Sequence, residues 1–323
     1  MTIHLAPIIL FSFNRPLHTQ KVLEALRQNE LSASSHLIVF TDGPKPDASS
    51  EQLEQIETVR QIVQKEKWCG SVEYHFADKN IGCRNSIIQG LTEVFSRFEA
   101  AIILEDDIVT APSFLTFMNR CLTFYKDYEA VFSISGRTLP EEKFHLPEDY
   151  SYDAFISLRQ LNSGWATWKD RWKKIDWSLS FIDELLANPA MCKAYSRGGD
   201  DLIPMLLDQK EGRSDAWDIQ FTYNQFRQHA VSIIPRYSYT DNIGGDGSGT
   251  HHPKDGDQLH FDLSKAISNP HLPEVIYEDD RIINAFYNVY CAKKRPVWKK
   301  MINRICRVLG AKNLFIIKKK IYA

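Results

Sequence analysis

The 323-residue chain predicts an α/β fold, a mostly parallel sheet with helices on both faces. Three observations predict it. Short apolar runs alternate with stretches of helical period through the first third of the chain, which is the rhythm of repeated strand–helix–strand units. The run Ala100-Ala101-Ile102-Ile103-Leu104 leads straight into Glu105, Asp106 and Asp107, as a strand covered on both faces does when it ends at a polar rim. The composition, 43% apolar and 25% charged, is that of a folded globular chain with enough length for a substantial core.

The elements follow in order. Pro7 to Phe13 reads as a first strand, closed by the turn Asn14-Arg15-Pro16. His18 to Asn29 has helical spacing through Val22, Leu23, Ala25 and Leu26. His36 to Phe40 is a second strand ending in Thr41-Asp42-Gly43-Pro44, a turn signal. Glu51 to Lys67 carries the apolar stripe Leu53, Ile56, Val59, Ile62 and Val63. Val72 to Phe76 is a third strand, and Asn80-Ile81-Gly82 precedes a helix from Asn85 to Phe98. The run at Ala100 is the fourth and central strand. Val131 to Gly136 and Val231 to Pro235 are later strands, with residues 139–153 expected as a loop and a helix beginning at Trp217-Asp218. Ser238 to His252 has four glycines within six residues, and is expected to be a mobile loop without an element, a candidate lid. Residues 1–130 and 131–280 read as two halves of one domain, and 281–323 as a basic tail.

Charge and composition narrow the function. The net charge of −2 hides an asymmetry: from Arg281 onward there are twelve Lys and Arg and no acid, leaving 27 basic against 41 acidic residues before it, a net of −14. The six cysteines have no CxxC pair and no zinc-finger spacing to a histidine, so they read as free thiols of a reducing compartment. Leu5 to Phe13 lacks the basic flank and cleavage site of a signal peptide, and no apolar run reaches membrane-spanning length. A cytoplasmic protein is expected. The absence of GxGxxG after the first strand and of GxxxxGK[ST] anywhere argues against a dinucleotide dehydrogenase and a P-loop NTPase.

Right-handed crossovers bring the strand ends to one rim. Arg15, Asp42, Asn80, Arg84 and the Glu105-Asp106-Asp107 triplet each follow a strand or open a helix, so they are expected to share one crevice, where open α/β sheets bind ligands. Clustered carboxylates repel unless a cation relieves them, and hard oxygen donors suit Mg²⁺ or Mn²⁺. The reading is a divalent-metal site gripping a phosphate-bearing ligand; a solvated acidic loop is the alternative. Trp165, Trp168 and Trp172 lie within eight residues. They either pack the junction of the two halves or floor a sugar site beside the permissive Ser163-Gly164. Asp218 is either a proton acceptor for an attacking hydroxyl or an acid favoured at a helix N-terminus.

Strand–Phe13-Asn14-Arg15-Pro16, strand–Thr41-Asp42-Gly43, and Glu105-Asp106-Asp107 followed by Ala111-Pro112-Ser113-Phe114 resemble a glycosyltransferase of the GT-A fold, in particular the N-acetylglucosaminyltransferase I family and its bacterial polysaccharide relatives. The likeness covers about residues 5–120 in order. It implies a Rossmann-like nucleotide-sugar-binding half in residues 1–130 and an acceptor half in 131–280. It implies Asp107 as metal ligand for Mn²⁺ or Mg²⁺, Asp106 facing the ribose, Glu105 the donor sugar, Asp42 the uracil, Arg15 beside the nucleotide, and Arg84 holding diphosphate or sugar. Trp165 of the Gly-Trp segment would lie near the donor. Asp218 after Trp217 would be the catalytic base, with Asp215 second. A glycine loop orders over nucleotide-sugar in that family; here it ends in Thr250-His251-His252, and His251 is the candidate to reach the metal or diphosphate.

Residues 293–320 interleave apolar and basic residues as an amphipathic helix on an anionic membrane surface does; a helix packed on the domain is the alternative. An acidic body would repel nucleic acid, so none is expected as partner. The resemblance implies an inverting, metal-dependent transferase that moves a sugar, N-acetylglucosamine among the candidates, from a UDP-sugar donor to a glycan or lipid-linked glycan acceptor in bacterial surface polysaccharide synthesis, peripheral on the cytoplasmic face. The rivals are a sugar nucleotidyltransferase, which lacks its Gly-rich loop here, and a non-catalytic glycan- or membrane-binding protein.

Overall fold

The computed structural model describes residues 5–247 and 260–291. The strands are β1 (Ile8–Ser12), β2 (His36–Thr41), β3 (Ser71–Phe76), β4 (Ala100–Glu105), β5 (Ile108–Thr110), β6 (Val131–Ser135), β7 (Ala154–Ser157), β8 (Trp165–Trp168), β9 (Val231–Pro235) and β10 (Thr240–Asn242). The helices are α1 (Pro16–Arg27), α2 (Ser50–Gln64), α3 (Cys83–Arg97), α4 (Phe114–Phe124), α5 (Lys169–Trp172), α6 (Ile182–Ala187), α7 (Pro189–Tyr195), α8 (Leu202–Lys210), α9 (Trp217–Arg227) and α10 (Asp280–Tyr290). Local chemistry sets several starts. Pro16 opens α1, where its missing N–H would have no partner. Ser49 and Gln52 form a reciprocal capping box on α2. Asn188 caps α7 immediately before Pro189.

Eight strands form one sheet in the order β3-β2-β1-β4-β8-β6-β9-β7, and β10 and β5 form a second sheet of two. β3, β2, β1 and β4 are mutually parallel; β8 runs against both β4 and β6, β9 is parallel to β6, and β7 runs against β9. Side chains alternate across the sheet. Ile8, Leu10, Ile102 and Leu104 pack on the α1, α4 side, and Ile9, Phe11, Ala101 and Ile103 on the α3, α9 side. Both faces are covered, which is why β1 and the apolar part of β4 are continuous hydrophobic runs.

The chain goes from β1 through β2 to β3 on one side, then crosses back so that β4 lies on β1's other flank. That reversal opens a crevice beyond the carboxyl ends of β1 and β4, the position where such sheets take ligands.

The differences from expectation cluster in the second half. β7 follows the expected 139–153 loop as a strand that the sequence does not announce, and β8 is a strand within the tryptophan cluster; β8 inserts between β4 and β6, so the two halves share one sheet. Part of the expected lid is an element: Thr240–Asn242 pairs antiparallel with β5, directly behind the triplet. Ladder bonds to β5 order these three residues, which precede the first of the glycines. Residues 281–290, which charge assigned to the tail, form α10, whose Ile282, Phe286 and Tyr290 bury against Leu139, Phe144 and Phe155. A further small core, with Leu185, Tyr195, Leu202 and Leu206, holds α6, α7 and α8 onto α9. The five described cysteines are free. Among the described residues no helix is long and apolar enough to cross a membrane. His251 and the 293–320 segment lie outside the described residues.

Candidate active site

The crevice is built from the ends of β1 and β4. Asp106 and Asp107 are 4% and 7% exposed. Both face the guanidinium of Arg15, the residue at the N-cap position of α1: Nη2 pairs with Asp106 and Nη1 lies 3.1 Å from Asp107 Oδ2. The Phe13 amide also donates to Asp106 Oδ2 at 3.3 Å. Buried carboxylates are tolerated only with such partners. Burial raises the Asp106 pKa, against the opposing pull of Arg15. For Arg15 burial acts downward, but the two carboxylates outweigh it and raise its pKa.

Glu105 continues the alternation of Ala101 and Ile103 and so faces the α3, α9 side. There burial, followed by the charges of Asp107 and Asp106, pushes its carboxyl up to about 8; Asp218 adds to the rise. Asp218 belongs to the first turn of α9, where its Oδ1 accepts from the Ile219 amide at 2.9 Å. Asp215 is more peripheral, 65% exposed at its side chain and 3.9 Å from Arg84 Nε.

The segment after β10 closes the far wall. The Ile243 amide donates to the Asp107 carbonyl at 2.9 Å. A Cβ on Gly244 would collide with Asp107 Oδ2 and lie 3.1 Å from Arg15 Nη1, so only glycine lets the backbone approach this closely. His18 Nε2 lies 3.2 Å from the Ile243 carbonyl and 3.3 Å from Asp246 Oδ2, tying α1 to the same segment.

Other expected site residues have different surroundings. Asp42 is on the rim, but its two oxygens accept from the Gly43, Ile81 and Gly82 amides at 2.9, 3.1 and 3.1 Å; it braces the loop after β3 to the end of β2. Arg84 turns along α9, with Nε donating to Gln220 Oε1 at 2.9 Å and Nη2 to the Trp177 carbonyl at 3.3 Å. Trp165 corrects the sugar-floor expectation: it is 0% exposed and stacks on Trp217 at 4.9 Å, with Phe221 edge-on at 5.2 Å. It supports the helix that carries Asp218, and no ring face is left for a ligand. Gly164 before it has φ +70° and its Cβ would meet Thr240 Cγ2 at 2.7 Å, so that glycine serves backbone packing.

Three residues were missed from sequence. Gly244 was read only as loop. Arg137 follows β6, is 8% exposed and donates to Ser163 Oγ at 3.1 Å; burial lowers its pKa, with Asp241 and Asp107 among the charges opposing this. A position just after a strand was the available signal for it. Cys83 opens α3 and is an exposed residue overall; burial of its thiol first, then the charges of Glu105, Asp106, Asp218 and Asp107, raise its pKa.

Asp106 and Asp107 are the side chains that could hold a divalent cation. Two buried carboxylates already converge on one cationic group, and Mg²⁺-type sites use one or two carboxylates with substrate phosphates supplying the rest. Among the described residues no three or more His, Cys, Asp and Glu side chains form a ready metal cage.

No protein-family profile matches the chain, and no curated protein matches it. Among solved structures it is similar to S. aureus TarS 1–349 (13% identity, 73% of this chain, 59% of that one, TM-score 0.42) and a longer S. aureus TarS (12%, 75%, 37%, 0.41). It is also similar to mouse xyloside xylosyltransferase 1 (10% identity, 68% and 81% coverage, TM-score 0.32). The chain therefore spans less than two thirds of the TarS chains it matches. Likenesses this distant assign neither family nor activity, and the functional reading rests on the site itself.

Proposed function

We propose that the protein is an inverting glycosyltransferase of GT-A type, using a UDP-sugar donor and a glycan or lipid-linked glycan acceptor. The observation that carries this reading is the pairing of Asp106 and Asp107 with Arg15 at the β1/β4 crevice; Asp218, in the first turn of α9, is the carboxylate assigned to the acceptor. Cation and carboxylates gathered at a strand-order reversal make a site for a charged phosphate ligand, and Arg suits phosphate oxygens.

Asp107, with Asp106 beside it, would hold Mn²⁺ or Mg²⁺, which when bound offsets the charge of a departing diphosphate. Arg15, released from the carboxylates, is free to meet phosphate oxygens. Asp218 takes the proton from the acceptor hydroxyl. That oxygen bonds to the anomeric carbon as the bond from this carbon to the diphosphate oxygen breaks, and the leaving electron pair stays on the diphosphate. The β10 segment, pinned to Asp107, excludes water from one side. N-acetylglucosamine is the first donor sugar to try, and His251 is a further candidate toward metal or diphosphate.

The test is calorimetric titration of UDP with Mn²⁺, then with EDTA, on the native protein and on Asp107→Ala. Binding that needs the ion and disappears in the variant is the expected result. Binding untouched by either change would remove Asp107 from the metal role, and no UDP binding under any condition would overturn the reading.

A further inference from the structure

The reaction above leaves one cleft without a task. It has a volume of about 400 Å³ and is lined by Arg84 of α3, Trp177, Ser180, Gln209 and Lys210 of α8, and Gln220 of α9. It opens where the α6–α8 helices meet the sheet domain, and junctions of this kind and size commonly take small ligands.

One wall is a loop held in a single shape. Asn224 accepts from the Asp176 amide at 2.9 Å and donates to the Asp176 carbonyl at 3.1 Å. Gln220 Nε2 donates to the Trp177 carbonyl at 2.6 Å. The Ser178 and Ser180 hydroxyls donate to Asp176 at 2.6 and 2.7 Å. Leu179 sits at φ +58°, a left-handed conformation that a branched residue adopts only when its surroundings enforce it. Trp177, half-buried and with its ring 5.0 Å from that of Trp172, is part of the lining.

The lining selects the ligand. Lys210 is paired with Asp183 in the same cleft, and Arg84 lies 3.9 Å from Asp215. Each cation is thus offset by a carboxylate, so the cleft does not call for an anion. It offers an aromatic surface together with amide, hydroxyl and ammonium groups. A neutral sugar ring matches this, placing its C–H face on the indole and its hydroxyls among the polar groups.

We propose that the cleft is a neutral-saccharide subsite, with Trp177 as its platform. That it serves the acceptor rests on the transferase reading; that it binds saccharide does not. Arg84 and Gln220 join the cleft to α9, the helix of Asp218: both line the cleft, and Arg84 Nε donates to Gln220 Oε1 at 2.9 Å.

The test uses the full chain and three probes, the methyl glycosides of glucose, galactose and N-acetylglucosamine, in saturation-transfer NMR. At least one should receive saturation. Trp177→Ala should weaken its affinity by about ten-fold, the scale of one lost aromatic contact. Ser180→Trp, which fills the cleft from an exposed position, should abolish the signal, and UDP titration should be unchanged in both variants. No transfer to any glycoside in the native protein, or transfer surviving both variants, overturns the subsite. Glycoside binding that depends on Trp177 in a protein that fails to bind UDP supports the subsite and removes the transferase reading.

Discussion

In the crevice, Asp106 and Asp107 are buried against one guanidinium; at the outer edge of the sheet, Glu73 on β3 meets Arg97 at 2.7 and 2.8 Å and His75 at 2.7 Å with all three side chains partly in water. The contacts look alike on paper. Their energies differ because desolvation multiplies the consequence of losing a partner, while water replaces a lost partner at the surface. Charge kept in a buried crevice at that expense points to a task there, whereas the β3 edge needs only solubility and a modest brace.

Four changes would break or sharpen this contrast. The largest effect is expected from Asp218→Asn, which should lower transfer by about 10²–10⁴-fold, the usual range for a lost general base, while UDP binding by calorimetry stays unchanged. Next, Arg15→Ala strands two buried carboxylates and should destabilise the fold by roughly 3–5 kcal/mol in urea titration. Added Mn²⁺ should restore part of that loss if the carboxylates accept a metal; no recovery would argue against it. Third, Gly244→Ala forces a methyl against Asp107 and should destabilise by about 1–3 kcal/mol, the range for overpacking, with weaker UDP binding as the second readout. The smallest effect belongs to the edge. Paired hydrogen bonds from Arg97, helped by His75 and only partly opposed by burial, hold the Glu73 carboxyl down to about 2. A depressed carboxylate stabilises above its unfolded value of about 4.3 and loses that contribution as pH falls toward the folded value. Glu73→Gln should therefore flatten the decline in Tm between about pH 4.3 and 2, and change stability at pH 7 by no more than about 1 kcal/mol.

Legibility followed the same division. β1, β2, β3, β4 and β9 and the helices α1–α3 and α9 were readable to within a few residues, because burial on both faces writes itself as an apolar run and an amphipathic helix writes its period. β5, β8 and β10 were not. Each is three or four residues long, too short for a period, and each exists because a partner strand completes its ladder. Asp107 and Arg15 were found from their positions after strands. Gly244 was hidden because a glycine needed for close backbone approach and a glycine in a free loop are the same letter.

Trp165 and Asp218 mark the boundary between the two kinds of information. The sequence by itself determined the α/β rhythm, the apolar strand that ends in three acids, and the gathering of strand ends on one rim, since these follow from local period, from crossover handedness and from the cost of burying charge. Tertiary structure alone decided that Arg15 answers both carboxylates, that Trp165 supports the Asp218 helix with no face left for a sugar, and that the residues leading into the glycine-rich stretch become a strand against β5. Those outcomes depend on which distant segments meet, and desolvation and ladder pairing act only once they have met.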